Sequence, residues 1–82
     1  YNASDVERGE LWLRLANRPR NVRFEELDQL LRLSGWGLNN IRGSHHVYRS
    51  SNGQHLSIPR HGPPVKIAYV RQVLALTQEQ WQ

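Results

Sequence analysis

The spacing of apolar residues changes at Gly35, and this change limits the possible folds more than any other feature of the sequence. Upstream of the glycine, apolar residues recur with the 3.6-residue period that predicts an amphipathic helix over residues 24–34. They are Phe24, Leu27, Leu30 and Leu31. Gly35 stands where a glycine commonly ends a helix. Downstream, apolar and polar residues alternate, which predicts strands, so the chain combines helices and strands in an α+β fold.

Turn residues divide the segment after this helix into short strands. We predict strands over residues 36–42 (with a bulge), 45–49 and 54–58. Gly43 and Ser44 mark a tight turn between the first two strands. The second turn contains Asn52-Gly53, a strong hairpin signal. The strands therefore form a three-stranded antiparallel sheet.

Two further helices are predicted on either side of this region. A first helix ends before Pro19, with an apolar side formed by Val6, Leu11, Leu13, Leu15 and Ala16. A last helix covers residues 66–80, with a core stripe of Ile67, Val70, Val73, Leu74 and Trp81. The predicted order is α–α–β–β–β–α. Helices can cover only one face of such a sheet, and the other face stays open to solvent.

Alternation along each strand assigns residues to the two faces. The predicted covered face carries Trp36, Val47, Leu56 and Ile58. His46 and Tyr48 are then expected to point toward the open side, because neighbours along a strand project in opposite directions. His45 shares the parity of Val47, but it begins its strand and is expected at the rim of the sheet.

Charge is distributed unevenly along the 82 residues. The net charge is +4, but residues 1–28 hold five arginines and six acidic residues. Residues 29–78 hold six basic residues, all four histidines and no Asp or Glu. Such a segment predicts a surface that binds phosphate groups, and the ten arginines against one lysine favour RNA or DNA. Solubility alone is the alternative explanation for this charge.

Several classes of protein are excluded or disfavoured by composition. The absence of cysteine excludes a disulfide framework and a zinc site built on thiolates. No apolar stretch approaches the ~18–20 residues that span a bilayer, and the start shows no signal-peptide pattern. We therefore expect a cytoplasmic protein without a cofactor. A histidine metal site is disfavoured because the neighbours His45 and His46 project in opposite directions along a strand.

The run from Arg42 to Arg49, which reads Arg-Gly-Ser-His-His-Val-Tyr-Arg, resembles the HicA (YcfA-like) family of toxin mRNA interferases. The resemblance covers roughly residues 22–76. It includes the helix that ends at Ser34-Gly35-Trp36, the hairpin turn, the run Ile58-Pro59-Arg60-His61 and the last helix.

This resemblance implies a fold, an activity and a partner. The fold would be a double-stranded-RNA-binding-like α-β-β-β-α domain with a three-stranded antiparallel sheet. Residues 1–21 would be an N-terminal helical extension, and residues 22–82 the RNA-cleaving domain. The activity would be mRNA cleavage by the toxin of a type II toxin–antitoxin system, through a histidine on a strand. The partner would be an antitoxin of the HicB type.

The chemistry of metal-independent RNA cleavage identifies candidate site residues. The 2′-hydroxyl of the RNA is the nucleophile, so the protein has to move protons and stabilise charge on the phosphate. Histidine suits proton transfer near neutral pH. His45 and His46 are the catalytic candidates, and neither the residues nor the family decides between them. The predicted RNA contacts are Arg42, Gly43, Ser44, Tyr48, Arg49, Arg60, His61 and Lys66.

Two other functions are compatible with the same sequence. One is an RNA-binding module that keeps the fold and the charge but does not cleave. The other is a regulator whose basic face only docks a protein partner. Cleavage of RNA in the presence of EDTA separates the enzyme from both alternatives.

Overall fold

The computed structural model describes residues 3–62 and 64–78 of the chain. In chain order, the elements are α1 (Ala3–Asn17), α2 (Phe24–Leu33), β1 (Gly37–Arg42), β2 (His45–Arg49), β3 (His55–Pro59) and α3 (Ile67–Gln78). The predicted α+β class and the predicted order of elements are confirmed. No helix within the described ranges has the length and apolar character that crossing a membrane requires.

The sheet is a simple antiparallel meander in the order β1-β2-β3. The predicted bulge in β1 lies between Leu38 and Asn40, where the pairing with β2 shifts by one residue. Gly43 begins the two-residue turn between β1 and β2 with a φ of 60°. Positive φ at the first turn position alone is the pattern of a type II′ hairpin, which glycine adopts without strain.

The second hairpin closes through hydrogen bonds at the base of its turn. The Ser50 amide donates to the Gln54 carbonyl at 2.9 Å, and the Gln54 amide donates to Ser50 Oγ at 3.0 Å. Gly53 has a φ of 89° and donates its amide to the Ser50 carbonyl. The Asn52-Gly53 signal therefore predicted this turn correctly, as part of a five-residue connection.

The end of α2 follows the predicted glycine signal. Gly35 adopts a φ of 87°, and its amide donates to the Arg32 carbonyl. The Trp36 amide donates to the Leu31 carbonyl at 2.8 Å. These two bonds form a Schellman motif, which satisfies carbonyls at the helix end and directs the buried Trp36 back onto the core.

The three helices contact one another and share one core with the buried residues of the sheet. The predicted stripe of α2 is buried throughout, as are Val70, Val73 and Leu74 of α3. In α1, Leu11 and Leu15 are buried, but Val6 and Leu13 are exposed, so that part of the predicted apolar side is wrong. Trp12 Nε1 donates to the Leu74 carbonyl at 2.9 Å and joins α1 to α3. The predicted core residue Trp81 lies outside the described residues.

The predicted orientation of β2 is wrong. Tyr48 pairs directly with Leu56, and His46 pairs with Ile58. Residues directly opposite each other in an antiparallel pair share a face, so Tyr48 and His46 face the helices with the buried Leu56 and Ile58. Val47 consequently lies on the open face.

Candidate functional site

The open face of the sheet consists of three rows of directly paired residues. The rows are Arg42–His45–Pro59, Asn40–Val47–Ser57 and Gly37–Arg49–His55. None of these residues is acidic, so this face carries two arginines and two histidines without a carboxylate. An uncompensated positive face of this kind attracts phosphate groups.

His45 lies at one end of this face and is exposed. Its ring lines a shallow groove of about 530 Å³ along the open face, together with Arg42 and Ser57. The His45 Nδ1 atom lies 3.5 Å from Ser57 Oγ. The groove therefore places an accessible imidazole beside a guanidinium group and a hydroxyl group.

His46 has a different environment on the other face. Its ring is half-buried and meets the ring of Phe24 edge to face, with centroids 4.8 Å apart. The Nδ1 atom of His46 lies 3.4 Å from the Ser44 carbonyl oxygen. The two neighbouring histidines thus project to opposite sides, and only His45 belongs to the basic open face.

Arg60 is held on the same side as His46. Its guanidinium forms an ion pair of 2.6 Å with Glu25 and lies 4.8 Å above the centre of the Phe24 ring. The Arg60 amide donates to the Ser44 carbonyl at 2.6 Å. Arg60 therefore fixes the chain after β3 against the Gly43–Ser44 corner, and its charge is already partnered.

Tyr48 is fully buried, and its predicted contact with RNA is wrong. A ring with 0% exposure has no face on which a base can stack. Its hydroxyl donates to Asp28 Oδ1 at 2.6 Å, and Arg32 Nε donates to Asp28 Oδ2 at 2.9 Å. Burial and the bond to Asp28 raise the pKa of Tyr48. The residue anchors β2 to α2.

A second cavity, of about 220 Å³, lies beside His45 at the rim of the sheet. The predicted RNA contacts His61 and Lys66 line this cavity. Tyr69 from the first turn of α3 and Val65 contribute apolar surface to it. We call this second cavity the rim pocket. His45 lies where the rim pocket meets the open groove.

The structure brings together some of the predicted site residues and separates others. Arg42 and Arg49 lie on the open face, and His61 and Lys66 lie at the rim pocket. His45 lies where these two surfaces meet. Gly43 and Ser44 form the corner between β1 and β2, and His46, Tyr48 and Arg60 lie on the helix side of the sheet.

Sequence reasoning did not identify four residues at these surfaces: Asn39, Asn40, Ser57 and Tyr69. The bulge in β1 is the signal that was available for the two asparagines, since bulges commonly redirect side chains. Tyr69 follows Lys66 by three residues, so the helical spacing places both on neighbouring parts of one surface.

Groups of three or more histidine and carboxylate side chains arranged to hold a metal ion do not occur within residues 3–62 and 64–78. His45 instead lies beside Ser57 and Arg42, and His46 packs on the ring of Phe24.

The fold and the site define a small α+β protein with a basic open sheet face and an exposed histidine at its end. The family model described as the HicA toxin of bacterial toxin–antitoxin systems matches residues 24–78, from the start of α2 to the end of α3. The chain belongs to this family. Comparisons with curated proteins and with solved structures gave no match. Membership of the family supports a toxin role and implies an antitoxin partner.

Proposed function

We propose that this toxin is an endoribonuclease that cleaves single-stranded mRNA in the cytoplasm without a metal ion, with His45 as the proton-transfer residue. One observation carries the proposal: an exposed imidazole lies at the end of a sheet face that has arginines and no carboxylate. An RNA strand drawn to this face by its phosphates would reach the imidazole directly.

His45 is favoured over His46 by accessibility and by its neighbours. The His45 ring is exposed and shares its groove with Arg42. The His46 ring is half-buried, and Phe24 and the Ser44 carbonyl occupy its surroundings. A general acid or base has to come within hydrogen-bond reach of the proton that it transfers. His46 is therefore assigned a positioning role at the corner beside Ser44.

The proposed reaction uses the 2′-hydroxyl of the RNA as the nucleophile. His45 accepts the proton of that hydroxyl as it attacks the adjacent phosphorus atom, and the bond to the 5′-oxygen breaks. Arg42 lies opposite His45 in the ladder and stabilises the negative charge that develops on the phosphate. His61, which lines the rim pocket together with His45, is the candidate donor of a proton to the leaving oxygen.

The antitoxin is proposed to be an acidic protein of the HicB type that covers the open face. Its carboxylates would replace RNA phosphates beside Arg42 and Arg49, because both ligands complement the same positive surface. Binding of the antitoxin and binding of RNA are then mutually exclusive.

A cleavage assay in EDTA tests the enzyme. Purified protein should cut a fluorescent single-stranded RNA, and it should leave DNA of the same sequence intact because DNA lacks the 2′-hydroxyl. The variant His45→Ala should lose cleavage and still bind the RNA. A matched variant at the surface of α3, Gln72→Ala, should cut like the wild type.

The outcomes distinguish the enzyme from its two rivals. Binding of RNA without any cleavage by the wild type would indicate an RNA-binding module. Absence of both binding and cleavage would indicate a protein that only docks its partner. Cleavage of RNA and DNA alike would contradict the 2′-hydroxyl mechanism.

A further inference from the structure

We propose that the rim pocket binds one unstacked nucleobase of a single-stranded RNA, adjacent to the phosphodiester that lies at His45. This inference rests on the proposed function and extends it, because it assigns a place to the base as well as to the backbone. The substrate class that follows is single-stranded RNA, since the bases of a duplex are paired and stacked inside the helix.

The size of the pocket fits a single flat ring system. Its volume of about 220 Å³ lies below the ~300–1,000 Å³ that is typical of sites for larger ligands. Tyr69, Pro59 and Val65 supply apolar and aromatic surface, and all three are half-buried. An aromatic side chain that lines a cavity can serve as a platform for a base, because every base has a π-face.

The polar groups of the pocket lie where the sugar and the phosphates of a bound nucleotide would lie. Lys66 and His61 are exposed at the pocket, and His45 is shared with the open groove. A base in the pocket would therefore have its sugar beside His45, one phosphate on the open face and the next phosphate near Lys66. This arrangement matches the apolar base and charged backbone of a nucleotide.

The pocket is held in shape by backbone hydrogen bonds from both sides. The Val65 amide donates to the carbonyl of the buried Val22 at 2.8 Å. The Tyr69 amide donates to the Lys66 carbonyl at 3.0 Å, which fixes the first turn of α3. A preformed pocket loses little conformational entropy on binding, so stacking contributes directly to affinity.

The experiment removes one base at a time from the RNA and leaves the protein unchanged. A short single-stranded RNA is prepared with fluorine in place of every 2′-hydroxyl, so that it cannot be cut. An abasic sugar is then placed at each position in turn, and affinity is measured by fluorescence anisotropy. We expect one abasic strand to bind about fivefold or more weakly than the intact strand. Its abasic sugar should adjoin the bond that the protein cleaves in ordinary RNA.

Two substitutions at Tyr69 connect this loss to the pocket. Tyr69→Ala should weaken binding of the intact strand to a similar extent, and it should not add to the loss from the abasic sugar. Tyr69→Phe retains the ring and should bind like the wild type. Chemical denaturation checks that each variant is folded. If Tyr69→Ala does not fold, the abasic series with the wild type and Tyr69→Phe decides the question.

Failure of this inference is distinguishable from failure of the proposed enzyme. If ordinary RNA is cut and every abasic strand binds within twofold of the intact strand, the base pocket is wrong and the enzyme stands. If one abasic position weakens binding but ordinary RNA is not cut, the pocket stands and the enzyme is wrong. Equal losses from the abasic sugar in the wild type and in Tyr69→Ala would place the base elsewhere and overturn the proposal. A pocket that instead takes a side chain of the antitoxin would give no abasic effect, and it would show a Tyr69-dependent affinity for that protein.

Discussion

Neighbouring residues of β2 lie on opposite faces of the sheet and differ in burial. On the covered face, Tyr48 is buried and bonded to Asp28, and His46 packs on Phe24. On the open face, His45 and Arg49 are exposed. A single five-residue strand thus contributes both to the core of the protein and to its proposed RNA surface.

The difference between the faces lies in how their polar groups are satisfied. Two cations on the helix side have carboxylate partners: Arg60 pairs with Glu25, and Arg32 pairs with Asp28. Within the described parts of the chain, no ion pair involves Arg42 or Arg49 on the open face. Paired charges fix the fold, whereas unpaired exposed charges remain free to meet an external anion.

The largest expected effect separates His45 from His46. His45→Ala should lower the rate of RNA cleavage at least about a hundredfold, since proton transfer contributes ~10²–10⁴-fold, and should leave stability unchanged. His46→Ala should instead lower the free energy of unfolding by about 1 kcal/mol through lost packing on Phe24. Single-turnover cleavage and urea denaturation measure the two quantities. A reversed pattern would assign catalysis to the covered face.

A smaller effect is expected from the polar anchor beneath the sheet. Tyr48→Phe removes the hydroxyl that donates to Asp28. It should lower the free energy of unfolding by about 1.5–2 kcal/mol, because the hydrogen bond goes to a charged group. RNA affinity should not change, since the ring has no exposed face. Urea denaturation and an RNA-binding titration provide the two measurements. Weaker RNA binding by a fully folded Tyr48→Phe protein would contradict the assignment of this residue to the core.

The unpaired charge of the open face should show in the salt dependence of RNA binding. Arg42→Ala should weaken binding about fivefold at low salt. It should also lower the slope of log affinity against log salt by roughly 0.7, the value for one phosphate contact with a single strand. Arg20→Ala is the matched control, because Arg20 is an exposed arginine in the connector after α1. Equal slopes for the two variants would show that the open face does not hold the RNA backbone.

The smallest expected effect concerns a paired charge on α2. Glu26 accepts hydrogen bonds from Arg18 and from the Arg23 amide, and the bond from Arg18 is the main cause that lowers the pKa of Glu26. A lowered pKa in the folded state means that the stabilisation is present at neutral pH and is lost as pH falls through that pKa. Glu26→Gln should therefore lower the free energy of unfolding by about 0.5 kcal/mol at pH 7 and by less at acidic pH.

The control for this substitution is Glu10→Gln, since Glu10 is an exposed acid on α1. Denaturation curves of both variants across the acidic range give the comparison. The loss in the free energy of unfolding caused by Glu26→Gln should shrink as Glu26 becomes protonated in the wild type. A loss that stays constant would contradict an electrostatic origin.

Much of the local structure was predictable from particular residues. The end of α2 and both hairpin turns lie where Gly35, Gly43 and the Asn52-Gly53 pair predicted them. The bulge in β1 lies within the strand for which the apolar pattern from Trp36 to Ile41 predicted it. Each of these features depends on a few neighbouring residues, because a glycine with positive φ or a 3.6-residue apolar stripe acts locally.

The face assignment of β2 could not be predicted in this way. The sequence pattern assigns Val47 to the core as an apolar residue, and alternation along the strand then places Tyr48 on the open side. The pairing of Tyr48 with Leu56, and an acceptor for the hydroxyl at Asp28, reverse that choice. Asp28 is 20 residues away in the chain, so the alternation of residues within the strand does not predict this contact.

The sequence by itself determined the order of elements, the end of α2, the positions of both hairpin turns, and a basic segment of fifty residues without a carboxylate. Only the tertiary structure decided which histidine faces solvent, which arginines already have partners, and that a pocket adjoins His45. The physical reason is that a strand can present either side to the helices. The register with its neighbours, together with hydrogen-bond partners far away in the chain, fixes which side is buried.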